Sequence, residues 1–234
     1  MGAELPGLAV VHRRRLREVW RSAGWPCRDT VEIELIAAGL LQRQFDEQGR
    51  ETLRVSDAGV ELLAATLQRN RARRDAHEAL VGRVALEMQR AGRVVWRGLS
   101  LRAPLPGEDG ATAWAMAMPD VYSIRHTTVE DYAEPVVHEI KVHRSDLLSD
   151  LRQPNKGAAY AALASQCWYV LRAGIAEPGE IPEAYGVMLA HDSHLEVARP
   201  APRRAQRVPF AVWMALARAD AERPPEDDPQ ARLG

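Results

Sequence analysis

Lysine is nearly missing from this chain. Of 31 basic residues only Lys141 and Lys156 are lysine, and all the others are arginine. Arginine offers a planar fork that stays charged, whereas lysine offers a compact ammonium whose pKa moves with its surroundings. Two lysines in an arginine background therefore mark places where the ammonium itself is wanted. Cysteine is equally scarce: Cys27 and Cys167 stand alone, without metal-ligand spacing. That excludes a disulfide framework and a cysteine-held zinc, and it fits a reducing cytoplasm. No apolar run approaches the roughly 20 residues that span a bilayer, and residues 1–20 carry no signal-peptide pattern. The expectation is a cytoplasmic protein with no membrane partner. Gly-rich phosphate loops, the dinucleotide fingerprint and His-Glu-x-x-His are also lacking, which removes three large enzyme classes.

Charge is balanced as a whole, at −1, but not along the chain. Residues 1–102 hold 18 Arg against 13 acidic residues, and residues 103–234 hold 13 basic against 19 acidic residues. A basic front and an acidic rear suit a protein that meets phosphates with one part and cations with the other. A solvated surface with scattered charge is the plainer explanation. With 234 residues there is room for one good-sized domain or two small ones.

The front reads as helix (8–23), helix (31–38, capped by Asp29 or Thr30), hairpin (40–45 and 51–55) and a helix opened by Ser56-Asp57. That order resembles a winged helix. Asp29, Glu32 and Glu34 on the would-be recognition helix repel phosphate. Arg43, Arg50 and Arg54 on the wing, with Arg71 and Arg74 in the following basic stretch, are the better backbone contacts. The helix then resumes through Glu78 and Glu87 to Gly92. Strands follow at 94–102, 114–124, 135–142, 167–172, 185–190 and 195–198. A helix bent near Pro154-Asn155 covers 145–165, and a last helix covers 209–221.

The chemistry concentrates between Met118 and Lys141. An apolar run ends in Pro119-Asp120, and a second run reads Pro135-Val136-Val137-His138-Glu139-Ile140-Lys141-Val142. On a strand, Glu139 and Lys141 share a face, while His138 and Ile140 point to the other. If the two strands pair, Asp120, Glu139 and Lys141 meet at one sheet edge. Carboxylates are gathered in this way when a divalent cation is to be held. Further on, Asp146 and Asp150 lie four apart on a helix, and Lys156 and Tyr160 follow.

Pro119-Asp120 followed by Glu139-x-Lys141 resembles the signature of the PD-(D/E)XK nuclease superfamily. The run Arg144-Ser145-Asp146-Leu147-Leu148-Ser149-Asp150, then Lys156, Tyr160 and Cys167-Trp168-Tyr169-Val170, is similar to the MmcB-like DNA-repair nucleases. The resemblance covers roughly residues 75–172. It implies an α/β fold: a restriction-endonuclease-like three-layer α/β/α core with a mixed sheet (71–222), preceded by a winged-helix-like α+β domain (1–70) and followed by a disordered tail (223–234). It implies a metal-dependent endonuclease acting on DNA in repair or defence, with DNA ahead of RNA and a homodimer left open. Asp120, Glu139 and the Ile140 carbonyl would hold Mg²⁺ or Mn²⁺. Glu78, or else Glu87, would add a ligand from the preceding helix, and Lys141 would serve catalysis. Asp146, Asp150, Lys156 and Tyr160 would support the site or the substrate. The competing non-enzyme reading is a winged-helix regulator that keeps a nuclease-like domain as a binding platform. On the nuclease reading, Asp120→Ala, Glu139→Ala and Lys141→Ala are each expected to leave folding intact, because dispersing a repulsive acidic cluster costs little stability.

Overall fold

The computed structural model describes residues 8–107 and 110–223, which divide into two compact units, Met1–Arg74 and Asp75–Gly234. The acidic, proline-rich tail from residue 224 lies outside the described residues.

The first unit contains helices α1 (Val10–Arg21) and α2 (Thr30–Ala37), strands β1 (Leu41–Phe45) and β2 (Glu51–Val55), and the start of α3 (Asp57–Arg90). Its core is aliphatic, built from Leu16, Val19, Leu35, Leu40, Leu41, Leu53, Val55 and Leu63. Asp29 caps α2 by accepting the Glu32 N–H, which satisfies one of the helix's orphan donors. At the hairpin turn the Asp46 carboxylate accepts the Gln48 and Arg50 N–H groups at 2.9 and 2.8 Å, and Gly49 takes the left-handed φ of +75°. Ser56 opens α3 by accepting the Gly59 N–H while donating to the Gly39 carbonyl.

Helix α3 is one 34-residue element where the sequence suggests a helix that stops and resumes. No proline interrupts it, and its Arg- and Ala-rich middle is strongly helix-forming, so the polar stretch continues the helix rather than ending it.

The second unit is a mixed α/β body. Its six-stranded sheet has the order β10-β9-β8-β7-β6-β3, from β3 (Arg93–Arg97), β6 (Val121–Arg125), β7 (Val136–Lys141), β8 (Gln166–Arg172), β9 (Gly186–Ala190) and β10 (Leu195–Arg199). β7, β8 and β9 run parallel to one another, and the other pairings are antiparallel. Strands β4 (Leu101–Pro106) and β5 (Thr112–Ala117) form a separate hairpin. Helices α4 (Arg144–Leu151), α5 (Pro154–Leu163) and α6 (Phe210–Arg218) complete the unit.

Two strands of the sequence reading are each split in two. Residues 94–102 break at Gly98, whose φ is +57°, and residues 114–124 break at Pro119, which has no N–H to give a ladder. Residues 145–165 likewise form two helices, because Pro154 begins α5 at a helix N-terminus, where a proline costs nothing.

Side chains alternate across β7. Val136 and Ile140 join a cluster with Leu80, Val81 and Val84 of α3, while Val137 joins one with Tyr160 and Leu163 of α5 and Val212 of α6. Among the described residues no helix is long and apolar enough to cross a membrane.

Candidate active site

Asp120 stands one residue before β6, and the β6–β7 register pairs Val121 with His138. The next step of that antiparallel ladder brings Asp120 opposite Glu139. There the Asp120 side chain replaces a ladder acceptor: its Oδ2 takes the Ile140 N–H at 2.7 Å. The Asp120 carbonyl accepts the Gly98 N–H, so the residue is fixed from both sides.

Glu139 is 4% exposed. Lys141 and Lys156 both donate to its Oε1 at 2.5 Å, and the Tyr160 hydroxyl donates to its Oε2 at 2.7 Å. Asp150, 7% exposed, accepts from Lys156 and from the Tyr169 hydroxyl, and Lys141 lies 3.7 Å away. Two carboxylates and two ammoniums thus alternate in a closed network, with two phenols completing the carboxylates' hydrogen bonds. A buried charge is tolerated only when paired and bonded in this way. The expected repulsive acidic cluster is therefore absent. Removing Glu139 would leave two ammoniums facing each other and would cost stability, contrary to the sequence reading.

The ionisation states follow from these contacts. Burial works against the Lys156 ammonium, but Glu139 and Asp150 outweigh it and hold its pKa above the ordinary lysine value. Burial first, and then the neighbouring carboxylate, raise the Tyr160 and Tyr169 phenols, which stay protonated as donors. Asp150, Lys156, Tyr160 and Tyr169, with Gly157 and Tyr185, line a cleft beside the network.

The other candidates fall differently. Asp146 is exposed in the first turn of α4, beside Ser145, while Asp150 one turn on is buried. The two do not act as a pair. Glu78 is exposed and meets His77, and Glu87 pairs with Arg90. It is His77 that reaches the site from α3, with Nε2 3.4 Å from Asp120 Oδ1, and that hydrogen bond raises its pKa. His138 is buried, at 1% exposed, and stacked on Trp168, with Nδ1 lacking a partner among the described residues.

Sequence reasoning missed the roles of His77 and Tyr169. For Tyr169 a local signal existed in its alternation with Trp168 along a strand, but its pairing with Glu139 is set by the parallel β7–β8 ladder. His77 had none beyond standing next to Glu78.

In the first unit the acids of α2 are spent internally. Glu32 is buried and accepts the Cys27 and Arg28 N–H groups, holding Arg28 at a left-handed φ of +53°. Asp29 pairs with Arg15 and Glu34 with His12. The repulsion of phosphate expected from them is accordingly weakened. All five candidate arginines are exposed; on the wing Arg43 is paired with Glu51 and Arg50 with Asp46, whereas Arg54, Arg71 and Arg74 have no ion-pair partner among the described residues.

No protein-family model matches the chain, and no curated protein matches it. Among solved structures, a protein of unknown function from Silicibacter pomeroyi is similar over 56% of this chain and 73% of its own, at 19% identity and a TM-score of 0.36. A likeness that low carries no argument about fold or function.

Proposed function

We propose that this protein is a metal-dependent nuclease of the PD-(D/E)XK kind, resembling MmcB-like DNA-repair nucleases, that hydrolyses phosphodiester bonds in nucleic acid, DNA ahead of RNA. On this reading the second unit is a restriction-endonuclease-like three-layer core, and the first is a winged-helix-like domain that meets the phosphate backbone. The observation that supports it most is the junction of β6 and β7. There Asp120 and Glu139 come together from neighbouring strands, with Lys141 bonded to Glu139.

The donor set fits the implied cation. Asp120, Glu139 and the Ile140 carbonyl offer oxygen only, which suits Mg²⁺ or Mn²⁺ rather than zinc. When bound, such a cation lowers the pKa of a coordinated water and neutralises phosphate charge. The chain's own groups do the rest. Lys141 supplies positive charge where negative charge builds up on the reacting phosphate. Tyr160 holds the Glu139 carboxylate, and Asp150 with Tyr169 fixes Lys156 beside it.

One observation favours the binding-platform reading: both Glu139 oxygens already carry donors, so a cation must share or displace an ammonium. Cleavage of labelled DNA with and without Mg²⁺ or Mn²⁺ separates the two. A nuclease cuts only with the metal, and Asp120→Asn and Glu139→Gln each lower turnover by about 10²-fold or more. Lys141→Arg lowers turnover while leaving metal affinity in place. A platform binds DNA equally with or without the metal and never cuts, and full activity in both carboxamide variants would also overturn the proposal.

A further inference from the structure

The β9–β10 hairpin ends in His191-Asp192-Ser193-His194-Leu195-Glu196, far along the chain from the acidic residues of the candidate active site. Leu195 pairs with Ala190 in the ladder, and the His191 N–H donates to the His194 carbonyl at 3.0 Å, which closes a tight turn. The two histidines therefore face each other across the strands. Their rings stack with centroids 4.6 Å apart and planes 11° from parallel. Glu196 follows His194 by two positions, hence on the same side of the strand, and its Oε2 lies 2.9 Å from His191 Nε2. One ligand atom from each of the three residues falls within 4.8 Å of the other two. The turn is held from below, because the Arg83 guanidinium of α3 donates to the His191 carbonyl.

Hydrophobic burial does not account for this arrangement. His194 and Glu196 are exposed, and a surface ion pair such as that of His191 with Glu196 is worth little. Two imidazole nitrogens and one carboxylate oxygen are instead the ligand types of zinc and its late first-row neighbours, with a fourth position left for water. Metal–ligand bonds of about 2.0–2.2 Å need the donor atoms roughly 3.3 Å apart. Exposed side chains reach that spacing by small rotations about their own bonds, while the hairpin backbone stays fixed. Since all three donors come from six consecutive residues, little chain entropy is lost on closing the site.

We propose that the tip of the β9–β10 hairpin binds a late first-row divalent cation, with Zn²⁺ as the probe, through His191, His194 and Glu196. The cation clips the edge strand β10 to β9, where the pairing carries an irregularity between Val197 and Arg199. It is a site of different chemistry from the oxygen-only set at Asp120 and Glu139, and it stands whether or not that set is catalytic.

The test is calorimetric titration of the full chain with Zn²⁺. Wild-type protein should bind with a Kd of about 10 μM or tighter. His191→Ala and His194→Ala should each weaken that binding by about 10-fold or more, and Glu196→Gln by less. Asp120→Asn should leave it unchanged. His194 and Glu196 are exposed and His191 is half-buried, so the metal-free ligand variants should melt close to the wild-type temperature, and with Zn²⁺ each should gain less thermal stability than wild type. Co²⁺ offers a second readout: visible bands of a low-coordinate nitrogen–oxygen site should appear in wild type and vanish in the His191→Ala/His194→Ala double variant. Zinc affinity unchanged in both histidine variants, or no binding by wild type at about 100 μM Zn²⁺, would overturn the proposal.

Discussion

His138 shows how one residue in a strand can set a pH limit on the whole fold. It alternates away from Glu139 into the cluster beneath the sheet, against Trp168, where no carboxylate among the described residues compensates a charge. Burial, helped by the Arg93 charge, pushes its pKa down to about 3. Its folded-state pKa is therefore below the unfolded value of about 6.5. Above that value both states are neutral and nothing is lost. As pH falls below it, the unfolded chain takes up a proton that the folded chain refuses, and stability drops by about 1.4 kcal/mol per pH unit. Urea unfolding of wild type and His138→Leu between pH 4 and 8 checks this. The variant should lose that part of the acid slope, and parallel curves would refute the assignment.

At the scale of elements, the site depends on how closely strands and helices approach. Gly186 opens β9 opposite Trp168 of β8. A methyl group there would stand 2.6 Å from the Ala201 backbone nitrogen and 2.7 Å from its Cβ, with the Trp168 ring on the other side. None of these neighbours is the free end of a flexible chain. Gly186→Ala should therefore cost about 1–3 kcal/mol through overpacking. Gly179→Ala, with nothing within 4 Å, should stay within about 0.5 kcal/mol of wild type. Chemical denaturation of the pair measures both, and equal stabilities would contradict this packing. The same closeness serves the site: β8 carries Tyr169 beside Glu139, and α5 carries Lys156 and Tyr160 over it.

For the whole molecule, the two units divide the charge. Arg54, Arg71 and Arg74 are exposed in the first unit, whereas Arg43 and Arg50 are already committed to Glu51 and Asp46. If the first unit meets nucleic acid, the uncommitted three should carry the salt dependence. Replacing them together by alanine should weaken DNA binding and reduce the slope of log Kd against log salt by up to about 3. Replacing Arg43 and Arg50 should do less, and the cleavage step itself should be unaffected by either change. Binding titrations at several salt concentrations decide it; an unchanged slope in the triple variant would locate the contact elsewhere.

Much of this molecule was legible in its residues because the signals were local. Asp29 at a helix cap, Asp46 and Gly49 in a turn, and the period-two alternation of Val136 to Lys141 each act within a few positions. A boundary at residues 70–71, a few positions before the division at Arg74, and a meeting of Asp120 with Glu139 could be argued from the same kind of pattern. Local pattern does not carry the charge balance of the site. That Lys141 and Lys156 share one carboxylate oxygen follows only when α5 folds back over β7. Likewise Tyr169 meets Asp150 only through the β7–β8 crossover, and His77 meets Asp120 only once α3 packs beneath the sheet. A lone carboxylate and a neutralised one look the same in sequence, because the difference lies in partners distant along the chain. Tertiary structure alone brings those partners within hydrogen-bond reach.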